Sequence, residues 1–210
     1  MILPDTVFWD FDGVIKESIE VKTQAFVQLF GPFGRDVVSR VRVHHLSHGG
    51  MSRYKKIPLY LEWTGTKYNP MLVNDLCDQF GQLVMQGVIN APWVPGIEHI
   101  FHSSFHRHTF FLVSATPQNE LLQILHALGF SSYFKEVYGA PYLKEAAIRL
   151  TLEKYELNSK DCLMIGDSRE DFAAAQANKV PFLLRRHIHN STAFQDYSGD
   201  SVCDFLGFSV

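Results

Sequence analysis

Hydrophobic positions fall into two regimes along the chain. The first apolar run, Val7-Phe8-Trp9-Asp10-Phe11-Asp12-Gly13-Val14-Ile15, is apolar on both parities before it ends in two carboxylates and a glycine. Such a run predicts a strand buried on both faces. From residue 16 to 91 the spacing turns helical. Helices are expected over Lys16–Phe30, closed by Gly31-Pro32, over Asp36–Leu46, over Arg53–Trp63 with Ser52 placed to cap it, and over Pro70–Ile89. Pro92-Trp93-Val94-Pro95-Gly96 breaks this region, and strands and helices then alternate. The expected elements are a helix Gly96–His106, a strand Thr109–Val113, a helix Gln118–Leu128, a short strand at Val137-Tyr138 and a helix Lys144–Tyr155. A strand Cys162–Ile165, a helix Arg169–Asn178 and a strand Phe182–Leu184 follow. The pattern assigns nothing to the tail, 187–210.

Alternation of this kind implies an α/β fold, a Rossmann-like parallel sheet with helices on both faces, which binds ligands at the carboxyl ends of its strands. The expected organisation is a core of residues 1–15 and 92–210, interrupted by an all-helical insert, 16–91, able to lie over the active edge as a lid.

Composition narrows the class. The 210 residues are 46% hydrophobic with 17 Phe, enough for a sizeable core. A net charge of −3 and ten scattered His form no basic stripe, so nucleic acid is not expected as a partner. Cys77, Cys162 and Cys203 are too dispersed for a disulfide framework, and no window resembles a signal segment or a membrane span. The expectation is a cytoplasmic protein, a monomer or weak homodimer.

Chemistry gathers at the predicted strand ends. Asp10 and Asp12, two apart, project to one side of an extended chain, and their repulsion calls for a cation or a shared proton. An Asx-type turn in which both acids cap N–H groups is the alternative. The other strand ends supply Ser114 and Thr116, then Lys144, then Asp167 with Asp171 one turn later. Singly, the hydroxyls and the last two acids also suit helix caps, whereas Lys144 opposes a helix dipole. Two His groups, His44/His45/His48 and His102/His106/His108, have no ligand of another type beside them and read as surface or core residues.

Taken in order, Asp10-Phe11-Asp12-Gly13-Val14, Val113-Ser114-Ala115-Thr116, Gly139 to Lys144, and Gly166-Asp167-Ser168-Arg169-Glu170-Asp171 resemble the four motifs of the haloacid dehalogenase-like hydrolase superfamily. The resemblance covers nearly the whole chain; Glu145 stands where Pro often follows the third-motif Lys. It implies a phosphatase of a small phosphorylated metabolite that forms an aspartyl phosphate on Asp10. Asp12 would be general acid and base, Ser114 and Lys144 would bind the phosphoryl group, and Mg²⁺ would be held by Asp10, Asp167 and the backbone carbonyl of Asp12. Asp171 would stand behind them. An acid at Asp12 is absent from dehalogenases.

The stretch His48-Gly49-Gly50-Met51-Ser52-Arg53-Tyr54-Lys55-Lys56 resembles the specificity loop of the β-phosphoglucomutase and phosphoglycolate phosphatase branch. There Arg53 and Lys56, with Thr116 from the core, would contact the substrate, although both cations also suit a solvated helix face. Glu17 and Ser18 are candidates for the hinge or pocket. A phosphosugar mutase and a non-catalytic sugar-phosphate-binding module remain as alternatives. Phosphonate hydrolysis would require Lys55 or Lys56 as a Schiff-base amine.

Overall fold

The computed structural model describes residues 2–104 and 106–208. Six parallel strands form one sheet in the order β3-β2-β1-β4-β5-β6: β1 (Thr6–Trp9), β2 (Thr109–Pro117), β3 (Phe134–Ala140), β4 (Cys162–Gly166), β5 (Phe182–Arg185) and β6 (Ser201–Val202). The central strand β1 is buried at every position, and alternate side chains feed two cores. Val7 and Trp9, with Phe110, Leu112 and Ile165, face one apolar cluster; Phe8, with Phe111, Val113 and Met164, faces the other. Coverage on both faces is why β1 reads as an unbroken apolar run.

Helices α1 (Ile19–Phe30), α2 (Arg35–Ser47), α3 (Arg53–Trp63) and α4 (Pro70–Asn90) follow β1. After them come α5 (Ile97–Ser104), α6 (Gln118–Ala127), α7 (Lys144–Lys154) and α8 (Arg169–Ala177). The first cluster continues from the sheet through Phe101 and Leu121 into Phe26, Tyr60 and Phe80 of the inserted helices. The second is closed by Ala147 and Ile148 of α7 and Ala174 and Ala175 of α8. Among the described residues no helix is long and apolar enough to cross a membrane.

Several boundaries differ from the sequence reading, each for a local reason. Helix α1 begins at Ile19, not Lys16, because the backbone of 15–17 is used elsewhere: Glu17 N–H donates to Pro92 O at 2.8 Å, and Val94 N–H donates to Ile15 O at 3.0 Å. The two connections between sheet and insert thus run side by side, and Lys16 is fixed between them, its Nζ on Ile89 O at 3.1 Å and over the Trp93 ring. Ser52 precedes α3 but forms no side-chain cap. Strand β3 is longer than expected, since as a sheet edge it carries polar residues; Glu136 there is held by Tyr138, Lys154 and Tyr155. The unassigned tail holds β6, the opposite edge. The expected helix to His106 crosses residue 105, outside the described residues; α5 ends at Ser104.

Candidate active site

The strand order reverses direction at β1, with β2 on one side and β4 on the other, and ligand crevices form at such switch points. Asp10 immediately follows β1 and Asp167 immediately follows β4. Asp10 shares the parity of Phe8, so it faces the side covered by α7 and α8, where Lys144 opens α7 and Asp171 lies in the first turn of α8. Lys144 Nζ is 2.8 Å from Asp10 Oδ1 and 2.6 Å from Asp171 Oδ1, with all three side chains buried. Asp171 also accepts from Ser168 N–H at 3.1 Å and Ser168 Oγ at 2.6 Å, completing a capping box. One carboxylate of Asp171 thus serves both the helix cap and the pairing with Lys144.

Gly13 completes the turn after Asp12 at φ +77°, and a Cβ there would lie 2.3 Å from Asp167 Oδ2. Only glycine fits both the left-handed backbone and that approach.

Asp10, Asp167 and Asp171 each offer an oxygen within 4.8 Å of the others. Burial, and then the charge of Asp171, push the Asp10 and Asp167 carboxyls well above the ordinary range, with Lys144 pulling the other way. For Lys144 burial favours the neutral amine, but Asp10 and Asp171 outweigh it and raise the ammonium. One buried ammonium among three buried carboxylates leaves a negative excess. An all-oxygen donor set with that excess fits a hard divalent cation such as Mg²⁺.

A pH-dependent stability follows. Carboxyls raised in the folded chain favour folding at low pH, and that contribution is lost as pH rises from the unfolded value through the folded one. In the cation-free protein this cluster therefore stabilises the fold less at about pH 7.5 than at about pH 5, while His44 and His187, both drawn down to about 4, act in the opposite sense. Saturating Mg²⁺, worth about 2–3 kcal/mol at a hundredfold excess over its Kd, should raise the melting temperature more at the higher pH. An equal rise at both, measured by calorimetry, would contradict this account.

The carboxylate of Asp12 lies outside the acidic cluster. Lys22 Nζ from α1 forms an ion pair with its Oδ2 and donates to Thr116 Oγ1 at 2.8 Å; Ser18 Oγ donates to Oδ1 at 2.6 Å, and Thr116 Oγ1 to Oδ2 at 3.1 Å. Burial pushes Asp12 up, but Lys22 and the two hydroxyls prevail and hold it below its ordinary value. Sequence reasoning passed over Lys22, which presents as one more helix cation. Ser114 Oγ accepts Thr116 N–H at 3.2 Å, and neither hydroxyl caps α6.

A cavity joins these residues to the inserted helices and leaves about 60 Å³ for the centres of water-sized groups. Asp10, Asp12, Lys144, Asp167 and Thr116 line it, with Lys56, Arg53, His45 and Phe80 opposite. Ser114 is not among the lining residues. Gly50 touches the sheet side: a Cβ there would lie 2.4 Å from Ser168 Oγ and 2.7 Å from Glu170 Cβ.

Arg53 and Lys56 are both buried, so neither is a solvated helix charge. They differ in partners. Arg53 Nη2 is 2.6 Å from Glu120 of α6, its Nη1 donates to Cys77 O at 3.2 Å, and its guanidinium covers Phe80. Lys56 Nζ meets the Nδ1 of buried His45 at 2.9 Å and lies over the Phe26 ring. Burial draws the Lys56 ammonium down to about 7, with Glu170 acting in the opposite sense. His45 Nε2 has no partner among the described residues. His44 and His48 stack on each other, and His44 meets Tyr60, so among the described residues the first His group gathers no ligand set. Glu17 pairs with Arg185 at the end of β5.

The haloacid dehalogenase-like hydrolase family model matches residues 7–184. The phosphoglycolate phosphatase of Photorhabdus laumondii is 25% identical over 184 residues, 83% of this chain and 77% of that protein. That of Yersinia pestis is 29% identical over 130 residues, 58% of this chain and 55% of that protein. Among solved structures, CbbY of Rhodobacter sphaeroides in complex with xylulose-(1,5)bisphosphate superposes with a TM-score of 0.79 at 13% identity, covering 98% of this chain and 97% of that one. β-Phosphoglucomutase of Clostridium difficile gives a TM-score of 0.75 at 18% identity over 97% and 92%. With the family model spanning all four motif-bearing strand ends, the chain belongs to the haloacid dehalogenase-like hydrolases.

Proposed function

We propose that this hydrolase is a Mg²⁺-dependent phosphatase that hydrolyses a small phosphate monoester through an aspartyl phosphate on Asp10. The observation that carries this reading is the pairing of Asp10 with Lys144 at 2.8 Å inside a buried, cation-demanding acidic cluster, with a second acid, Asp12, kept apart on its own donors. Relatives named phosphoglycolate phosphatase support the substrate class.

A carboxylate Oδ of Asp10 attacks phosphorus as the bond to the leaving alkoxide breaks, and a protonated Asp12 delivers its proton to that alkoxide. Asp12 then takes a proton from water as the water attacks phosphorus and the Asp10 acyl phosphate bond breaks. Lys144 neutralises charge on Asp10 and the transferring oxygens. Asp10 and Asp167, backed by Asp171 and joined by the backbone carbonyl of Asp12, would hold the cation, which when bound neutralises the phosphate oxygens. Lys22 keeps Asp12 in its base form, the form required by the second half-reaction. Proton delivery in the first half therefore needs that contact to loosen as the ester enters.

Helices α1 to α4 act as a cap: the paired connections at 15–17 and 92–94 are its hinge, and Gly50 seats it against the sheet domain. Closure excludes water from the acyl phosphate until hydrolysis. Within the cap, Lys56 with His45 Nε2–H reads the far end of the ester, while Arg53, already neutralised by Glu120, holds α3 to α6. A cavity with only about 60 Å³ open to the centres of water-sized groups suits a small ester.

The test is phosphate release from a panel of sugar phosphates and short organic phosphates, with and without Mg²⁺. Release that requires Mg²⁺ is expected. Interconversion of sugar phosphates without release would make the chain a mutase, and neither outcome would make it a binding module. Lys56→Met should raise KM for esters with a second anionic group about 10-fold or more, the scale of one charge-assisted contact. An unchanged KM across the panel removes Lys56 from substrate binding.

A further inference from the structure

The tail that sequence patterning left unassigned returns to the acidic cluster. His187 Nε2 lies 2.7 Å from Asp167 Oδ2, and Asn190 Nδ2 donates to the backbone carbonyls of Asp167 at 2.9 Å and of Arg185 at 2.8 Å. Both side chains border the cavity, and Asn190 is 4% exposed.

We propose that His187 and Asn190 are positioning residues for Asp167: as a rigid unit they fix the direction in which its carboxylate faces the cation site. This rests on the cation-dependent reading above and adds residues to it.

The hydrogen bonds define which way the proton points. His189 N–H donates to His187 Nδ1 at 3.2 Å, so Nδ1 is the acceptor nitrogen of the ring. The opposite ring nitrogen, Nε2, therefore carries the proton and donates it to Asp167 Oδ2. A carboxylate that receives an N–H on one oxygen presents the other to a cation in a set orientation.

The unit is rigid for reasons visible around it. His187 N–H donates to Asn190 Oδ1 at 3.0 Å, closing the turn. Arg186 donates to Phe194 O at 3.2 Å and Tyr197 O at 2.9 Å, and Phe194 is buried. Arg185 is clamped to Glu17 beside the hinge. Each contact limits how far His187 can drift from Asp167.

Mn²⁺ serves as the probe, with binding followed by titration calorimetry and electron paramagnetic resonance. His187→Ala is expected to weaken Mn²⁺ binding about 10- to 100-fold, as loss of an outer hydrogen bond to a metal ligand does. His187→Gln, which restores an N–H at similar reach, should recover most of that loss. The melting temperature of the cation-free His187→Ala chain separates a lost orientation from a lost fold. Equal Mn²⁺ affinity in the native and Ala chains overturns the inference. Nitrogen hyperfine coupling on the bound Mn²⁺ also overturns it, since His187 would then be a ligand. The native chain supplies a test without substitution: long-range ¹H–¹⁵N spectra should show the Nε2–H tautomer, and an Nδ1–H ring refutes the donation. A native chain that binds neither Mn²⁺ nor Mg²⁺ removes the cation site itself, and the inference falls with it.

Discussion

Asp10→Asn should lower Mg²⁺-dependent phosphate release by at least about three orders of magnitude, because an amide cannot form the acyl phosphate on which the turnover depends. The substitution is nearly isosteric at a position only 4% exposed, so the packing of β1 against β2 and β4 stays intact. A second signature accompanies the loss. Asp10 is the carboxyl that burial and Asp171 raise, so the ionised form opposes the fold near neutrality. Replacing it with a neutral amide removes that opposition, and Lys144 keeps its pairing with Asp171 at 2.6 Å, so the cation-free variant should melt close to the native chain. Activity lost with stability kept identifies a reacting group, whereas activity lost with stability lost would indicate a structural one. Measured release within tenfold of native would eliminate Asp10 as the nucleophile.

Lys144→Met should produce the largest stability change in the site. The ammonium is buried between Asp10 and Asp171, and its removal leaves both carboxylates without their paired charge. Breaking a buried ion pair from one side costs about 3–5 kcal/mol. The sign of its pH dependence follows from the acids that remain. Without Lys144 their folded-state carboxyls rise further, so the variant gains stability as pH falls and they protonate, and loses it as pH rises. Urea unfolding at about pH 5 and about pH 7.5 should show the deficit concentrated at the higher pH, with Mg²⁺ recovering part of it. A deficit equal at both would mean that Lys144 contributes through packing rather than charge. Phosphate release should also fall, by about 10²- to 10³-fold, the usual consequence of removing one donor to the developing charge.

Asp10 and Lys144 are both residues that local pattern exposes. Asp10, Asp12, Lys144 and Asp167 stand directly after apolar runs or at a helix start, and the period of those runs determines that their ends meet at one sheet edge. The order of motifs, the parallel sheet and the helical insert were legible for the same reason: burial on both faces leaves an unbroken apolar signature in β1, β2 and β4. Edge strands leave a weaker one. β3 was seen only in part and β6 not at all, because one side of each has no neighbour to bury it.

What the sequence by itself determined is thus the fold class and that Asp10, Asp167 and Lys144 stand at one sheet edge. Tertiary structure alone decided the charge partners, since these come from residues far apart in the chain. Arg53 and Lys56 share one helical face in sequence, yet Glu120 neutralises one and His45 meets the other. Lys22 reads as a surface charge until packing of α1 brings it to Asp12. The tail has no period, and only its return past β5 brings His187 and Asn190 to Asp167. Hydrophobic periodicity is a local property written in successive residues. Charge pairing depends on long-range distances that exist only once the chain has folded.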